Sequence, residues 1–473
     1  MLRLTTSILA AAVLLATATP ARAQGDGVIL GTVAARDDRS AIAGAVVELQ
    51  SPVLPAPLRV TTGTDGRFTF PRLAPADYVV AVVHDTFRAE RYEVSLKPRE
   101  VRVLAVTLAV RGVEEAVEVT TEALPSVFSP GSTHLTGERL AALPLAARTN
   151  LPDAIVSAAP GMIRGHDDFV HVRGHEVALN PVINGVQFWE NAHSVFSPGL
   201  GVDYVASMNV MTGGYSAEYG NRFGGVLDVV TKSGFSATSR GSIAFGVGSD
   251  ARHNVGVELG GHSARAGYYL NLGGFTSDRF LSPPSPRSIH NTGRGVRGFG
   301  QFELRVNDAN HVKVVAMGDG VNLELPKEER DELLRPDFNN LQRMRSQSVI
   351  LSWDRVQGAD TVMRAAVYQK WSNVRQFPET VDQYGAQTDA ERSLTTFGIK
   401  SDVTRLAGRH TVKSGVDVVL LRPRESLHHL SQPWITFTHL PEINEAHVHF
   451  RGPNLGPGVP RPVVFSGRET GGQ

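Results

Sequence analysis

The chain has 473 residues, enough for several folding units rather than one small domain. Lys plus Arg and Asp plus Glu both number 47, so no basic excess argues for a nucleic-acid partner. With no cysteine, a thiol nucleophile, a disulfide framework and a cysteine-ligated metal are excluded.

The N-terminus has the pattern of an export signal, residues 1–23. Arg3 gives a positive start, Leu4 to Ala18 is apolar apart from Thr and Ser, and Ala21-Arg22-Ala23 offers small residues for cleavage before Gln24. No later run approaches the ~20 apolar residues a membrane helix needs. A barrel strand alternates apolar and polar residues, so this does not exclude a membrane protein.

Residues 24–111 predict a small β module. Strands are expected at Gly31-Thr32-Val33, Gly44 to Leu49, Tyr78 to Val83 and Val101 to Val110, with Asp65-Gly66 as a hairpin turn. Gly-Thr-Val, Gly-Ala-Val-Val, Thr-Asp-Gly-Arg-Phe, Leu73-Ala74-Pro75 and Tyr78 in that order resemble the carboxypeptidase-regulatory-like (transthyretin-like) domain. Asp77 stands where that family has Gly, and Thr86-Phe87 where it has Gly-Tyr; both departures concern turns. The resemblance implies a sandwich, found at the head of one subgroup of TonB-dependent receptors, and no catalysis. Related sandwiches bind carbohydrate, but no sugar site is marked here, so a spacer or docking module is the expected role.

Residues 112–132 read as a linker. Val117-Glu118-Val119-Thr120 is acidic and β-prone. Ahead of a plug, the resemblance makes these residues a candidate TonB box, pairing as an added strand with the periplasmic protein TonB; the plain alternative is an interdomain linker.

Residues 133–235 carry the most specific pattern. Leu140 to Leu145 and Asn150 to Val156 have apolar residues at helical spacing, ending at Pro160-Gly161. Val170 to Gly174 reads as a strand, and Asn184-Gly185 as a turn. Met208–Thr212 and Gly225–Thr231 read as strands around a glycine-rich connection. Arg173-Gly174, Asn184-Gly185, Glu218-Tyr219-Gly220, Gly224-Gly225 and Val229 to Gly234, including Lys232, resemble the plug domain of TonB-dependent outer-membrane receptors. From their placement, Arg173 and Arg222 are read as charges that seat the plug against acidic wall residues; the resemblance implies that Gln187 to Pro198 and the long wall loops select the solute. Enzyme chemistry is not supported. His166, His171, His175 and Glu176 lack zinc-helix spacing because Leu179 fills the second His position, and Gly214 to Glu218 lacks the closing glycine of a nucleophile elbow.

Residues 236–473 alternate apolar and polar. Ile243, Phe245 and Val247 share a face, as do Tyr268, Leu270 and Leu272; Met363, Val367 and Trp371 oppose Arg364, Tyr368 and Lys370. Further strands are expected at Arg297–Val306, His311–Met317, Ser346–Arg355, Thr361–Ser372, Ser393–Thr404 and Thr411–Leu421; after an initial short loop at Ser249–Arg252, short and long connections alternate, as periplasmic turns and extracellular loops do. Beyond Arg422 an extracellular loop is expected, holding His428, His429, His439, His447 and His449. These are weak metal candidates without fixed ligand spacing, so neither a metal nor a cofactor is expected.

The expected fold is mainly β: an N-terminal transthyretin-like sandwich, an α+β plug and an incomplete antiparallel transmembrane barrel. Barrels of this family have about 22 strands, so the chain is expected to be a fragment. The resemblance implies a non-enzymatic importer in the outer membrane of a Gram-negative bacterium, with TonB, outer-membrane lipid and an extracellular solute as partners. The competing expectation is a secreted β-modular adhesion or carbohydrate-binding protein.

Overall fold

A computed structural model describes residues 27–54, 56–96, 100–110, 121–123, 131–143, 151–164, 170–173, 179–188, 201–220, 224–236, 241–281, 286–287, 289–327, 329, 333, 339–379, 387–407, 410–431 and 463–469. The export signal, Val117 to Thr120, Gly174, Arg222, His439, His447 and His449 lie outside them.

The first unit comprises β1 (Gly27–Ala35), β2 (Val46–Gln50), β3 (Leu58–Thr61), β4 (Arg67–Leu73), β5 (Ala76–Val83), β6 (Glu90–Leu96) and β7 (Val101–Leu108). After it, β8 (Thr121–Ala123) returns to the same unit. Two sheets face each other, ordered β4-β1-β7 and β3-β2-β5-β6-β8. Inward side chains such as Ile29, Val33, Phe68, Phe70, Tyr78, Val80, Val94 and Leu104 fill the space between them. The strand at β6 was not anticipated, although Tyr92, Val94 and Leu96 alternate with Arg91, Glu93 and Ser95 at the strand period. The Asp65-Gly66 hairpin is corrected. A tight turn does form, with Gly66 N–H donating to Gly63 O at 2.9 Å, but β3 pairs with β2 and β4 with β1. The turn therefore carries the chain from one sheet to the other.

The second unit starts with β9 (Ser132–Thr136) and two helices, Gly137–Ala141 and Leu151–Ala158. It continues with β10 (Met162–Arg164), β11 (Val170–Val172), β12 (Leu179–Ile183), β13 (Val186–Gln187), β14 (Val205–Met211) and β15 (Gly225–Thr231). A five-stranded mixed sheet runs β13-β12-β15-β14-β9. Every residue of β15 is buried, as expected of a central strand covered on both faces.

The third unit is an antiparallel meander: β16 (Gly241–Gly248), β17 (Arg252–His262), β18 (Ala266–Ser277), β19 (Gly293–Arg305), β20 (Asn310–Glu324), β21 (Asn340–Gln357), β22 (Thr361–Pro378), β23 (Gln387–Ala407), β24 (His410–Ser431) and β25 (Val463–Glu469). Its polarity is the reverse of a water-soluble sheet. Ile243, Phe245 and Val418 are 79%, 73% and 62% exposed, whereas Asn271, Gln301 and Lys313 are 1%, 1% and 3% exposed. Burying polar groups is costly unless they are paired, so this sheet is built to turn its polar face toward a partner and its apolar face away from water. Strand ends flanking the short connections 263–265, 306–309 and 358–360 share one rim; the strand ends on either side of the longer intervals after β18, β20, β22 and β24 share the other, together with the three-residue turn 249–251.

Several strands run past their expected ends toward the long-connection rim. There the outward residues become charged, and cross-strand pairs such as Arg375–Asp389 at 2.6 Å continue the ladder after the apolar alternation stops. The expected loop beyond Arg422 is corrected accordingly: β24 runs to Ser431, and His428 and His429 sit within it opposite Asp389 and Thr388. Among the described residues no cluster of His, Asp and Glu is arranged to hold a metal.

Candidate functional site

The contact between the plug and the polar face of the wall is the candidate site. Its apolar floor is continuous. Plug residues Phe188, Tyr204, Met208 and Val229 pack in one core with wall residues Tyr269, Phe299, Val315, Ile350 and Tyr368. Tyr204 stacks on Phe299, with ring centroids 4.4 Å apart, and Phe188 meets Tyr368 edge-on at 5.8 Å.

Around this floor, polar groups from the end of β15 reach the first wall strands. Lys232 Nζ lies 2.7 Å from Glu258 Oε1 on β17, and Tyr269 Oη on β18 donates to the same carboxylate oxygen. Ser242 Oγ donates to the other oxygen at 3.2 Å. Next in sequence, Ser233 Oγ donates to Glu303 on β19, and Gly234 N–H donates to it at 3.1 Å. Gly234 lies so close to β18 that a Cβ there would sit 2.3 Å from Tyr268 N and 2.4 Å from Tyr268 O. The backbones touch, which only glycine permits. Phe235 is capped by the Arg305 guanidinium, 3.8 Å above its ring.

Asn184 and Gly185 form the two-residue turn between β12 and β13, at φ of +48° and +85°. Positive φ at both central positions suits an Asn-Gly hairpin. Asn184 Nδ2 donates to Thr231 Oγ1 at 2.8 Å, and Thr231 Oγ1 donates on to Gln301 Oε1 of the wall at 2.5 Å. A second ion pair has the opposite polarity: Glu218 of the plug meets Lys413 of β24 at 2.5 Å. Tyr219 Oη donates to Asp228 Oδ2 at 3.1 Å, tying the 212–224 connection back onto β15.

The structure thus brings Asn184, Glu218 and Lys232 to the wall interface. Arg173 is placed elsewhere, contrary to the expectation that it seats the plug. Its φ is +53°, and its guanidinium donates to Thr212 Oγ1 at 3.0 Å within the plug. Nothing in the sequence marked Glu258, Gln301, Glu303 or Lys413, because a polar residue on an alternating strand has the same pattern whether or not something faces it.

A curved, apolar-backed wall around a mixed α/β plug, headed by a small sandwich, is the architecture of a plug seated in part of a β-barrel. Residues 28–109 match the carboxypeptidase regulatory-like domain family and form that domain here. Over 219 residues the chain is 28% identical to the TonB-dependent transporter Oar of Myxococcus xanthus, covering 44% of this chain and 20% of that protein. Among solved structures, it is similar to the ferripyoverdine receptor of the Pseudomonas aeruginosa outer membrane, at 12% identity and a TM-score of 0.48, over 73% of this chain and 49% of that one. It is also similar to the siderophore receptor PirA of Acinetobacter baumannii, at 15% identity and a TM-score of 0.47, over 64% of this chain and 48% of that one. The chain thus spans about a fifth of the curated relative's length and about half of each solved structure. In sequence it resembles TonB-dependent receptors that carry a carboxypeptidase-regulatory-like domain at the head.

Proposed function

We propose that the chain is the N-terminal part of a TonB-dependent outer-membrane transporter of a Gram-negative bacterium. Solute binds on the long-connection side, the linker engages TonB on the short-connection side, and displacement of the plug opens a path. The observation that carries this reading is the reversed polarity of the ten-stranded sheet: its buried polar face meets a plug through Lys232, Ser233, Thr231 and Glu218. A secreted adhesion module would gain nothing from exposing Ile243, Phe245 and Val418 to water, whereas lipid makes that exposure favourable. Transport of this kind needs no covalent step: relative motion of plug and wall, held by a few ion pairs and hydrogen bonds, is sufficient. The candidate coupling segment Val117–Thr120 precedes the plug, as the reading requires.

The test is fractionation joined to capture. The full-length product of the gene is expected in the detergent-soluble outer-membrane fraction and on a resin bearing the C-terminal domain of TonB, with capture lost when Val119 is changed to Pro. Recovery in the soluble fraction, or capture indifferent to Val119→Pro, would sink the proposal.

A further inference from the structure

The sandwich has one sheet against the wall and one sheet edge occupied by the linker. On the wall side, Arg67 Nη1 lies 2.7 Å from Asp360 Oδ2, and Thr69 Oγ1 donates to Ala359 O at 2.8 Å. Val28 and Leu30 of β1, with Val101 and Val103 of β7, pack on Val356, Val362 and Leu406. All three of those wall positions flank short connections, so the β4-β1-β7 sheet is seated on that rim. This also accounts for the nearly unbroken burial of β1, whose odd and even positions face two different cores.

At the far edge of the other sheet, β8 adds to β6 as a parallel strand, with Arg91 opposite Thr121, Tyr92 opposite Glu122 and Glu93 opposite Ala123. An uncovered edge strand presents a row of unpaired backbone donors and acceptors, and adding a strand satisfies them with few demands on side chains. Thr121 directly follows the candidate coupling segment Val117–Thr120.

We propose that the N-terminal sandwich is a clamp on the linker. Its β6 edge holds Thr121–Ala123 by strand addition, its other sheet is fixed to the barrel rim, and a strand-adding partner that grips the linker competes with β6. The competitor's identity rests on the TonB reading above; the clamp itself does not. A hold of three register pairs is short enough to peel, whereas the rim contact combines an ion pair, a hydrogen bond and an apolar cluster. Pulling therefore frees the linker from β6 before it moves the sandwich from the rim.

The absence of cysteine makes the test clean. The full chain carrying Glu93→Cys with Ala123→Cys, oxidised in detergent, is expected to form a disulfide several-fold more completely than Glu93→Cys with Thr121→Cys, two residues out of register. The cross-linked form is expected to bind the TonB C-terminal domain at least ten-fold more weakly than the reduced form, and dithiothreitol restores binding. As a second measurement without cysteines, Glu122→Pro is expected to speed hydrogen exchange of the β6 amides and to raise TonB-domain binding. Equal cross-linking in the two pairs, unchanged β6 exchange, or unchanged binding after cross-linking overturns the clamp. Failure of the reduced form to bind while register-specific cross-linking persists instead counts against the TonB reading alone.

Discussion

Lys232 and Glu258 meet at 2.7 Å with both side chains about one-third exposed, so water screens part of their attraction. Tyr269 and Ser242 complete the carboxylate's hydrogen bonding. Lys232→Met is expected to loosen the plug by about 1 kcal/mol. Faster amide exchange along β15 would show it, and adding Glu258→Gln should recover part of the loss because no unpaired carboxylate remains. If exchange is unchanged, the pair does not seat the plug. Gly234→Ala, two residues on, should be worse, about 2–3 kcal/mol, because the atoms in its way are Tyr268 backbone and cannot rotate aside. In the sandwich, Tyr78 is 1% exposed and donates to Ala74 O at 2.6 Å. Burial pushes its phenol above the ordinary value of 10.0. The sign follows: the folded state favours the neutral phenol, so stability is intact below about pH 10 and falls as pH rises from there toward the raised folded value. Tyr78→Phe should cost about 1 kcal/mol at neutral pH and flatten that alkaline fall in the unfolding of the first unit; an unaltered alkaline limb would show that Tyr78 is not its source. At this scale the sequence was partly legible. Asn184-Gly185 and Lys232 stood out because turn chemistry and motif order mark them. Arg173 misled because its charge suggested a carboxylate partner, whereas its backbone conformation turns it back onto the plug.

Along the wall strands the alternation carried most of the information and also set its limit. Within the apolar band, Ile243, Leu272 and Val367 are outward, and the expected faces match the observed ones. Beyond that band both faces are polar, the period-2 signal disappears, and strands such as β23 and β24 continue on backbone pairing and pairs such as Arg392–Glu425 at 2.6 Å. That is why the alternation alone gives no strand signal in the histidine segment after Arg422, although β24 runs on to Ser431. The short β9 was missed for a related reason: Ser132 to Thr136 has little apolar pattern of its own and is a strand because β14 offers it an edge. The outward face supplies a direct prediction. Val367 is 54% exposed near the middle of the apolar band on β22. Val367→Arg should cost about 2–4 kcal/mol if that face contacts lipid, and Val367→Ile should be nearly neutral. Folding yield into liposomes measures the difference. In a soluble sandwich the exposed arginine would cost almost nothing, so equal yields for the two variants would remove the lipid-facing assignment.

For the molecule as a whole, the decisive question is whether the sandwich is a rigid part of the assembly or a bead on a string. A tethered bead would need no complementary surface, yet Arg67 and Asp360 form an ion pair with both side chains about three-quarters buried, beside the cluster of Val28, Leu30, Val362 and Leu406. Burial at the same rim lowers the Arg72 guanidinium, and Asp308 from the neighbouring short turn partly raises it again. Arg67→Asp or Asp360→Arg alone would leave two like charges facing each other in a poorly hydrated contact. Each is expected to weaken the docking by about 2–4 kcal/mol. The double exchange restores opposite charges and should recover most of that loss, a coupling that only residues in direct contact produce. Protease release of the first 110 residues from the detergent-solubilised full chain is a suitable readout. It should be fast in either single variant and close to the parent rate in the double variant. A freely tethered sandwich predicts the same release rate for all four proteins, because neither charge would then have anything to face.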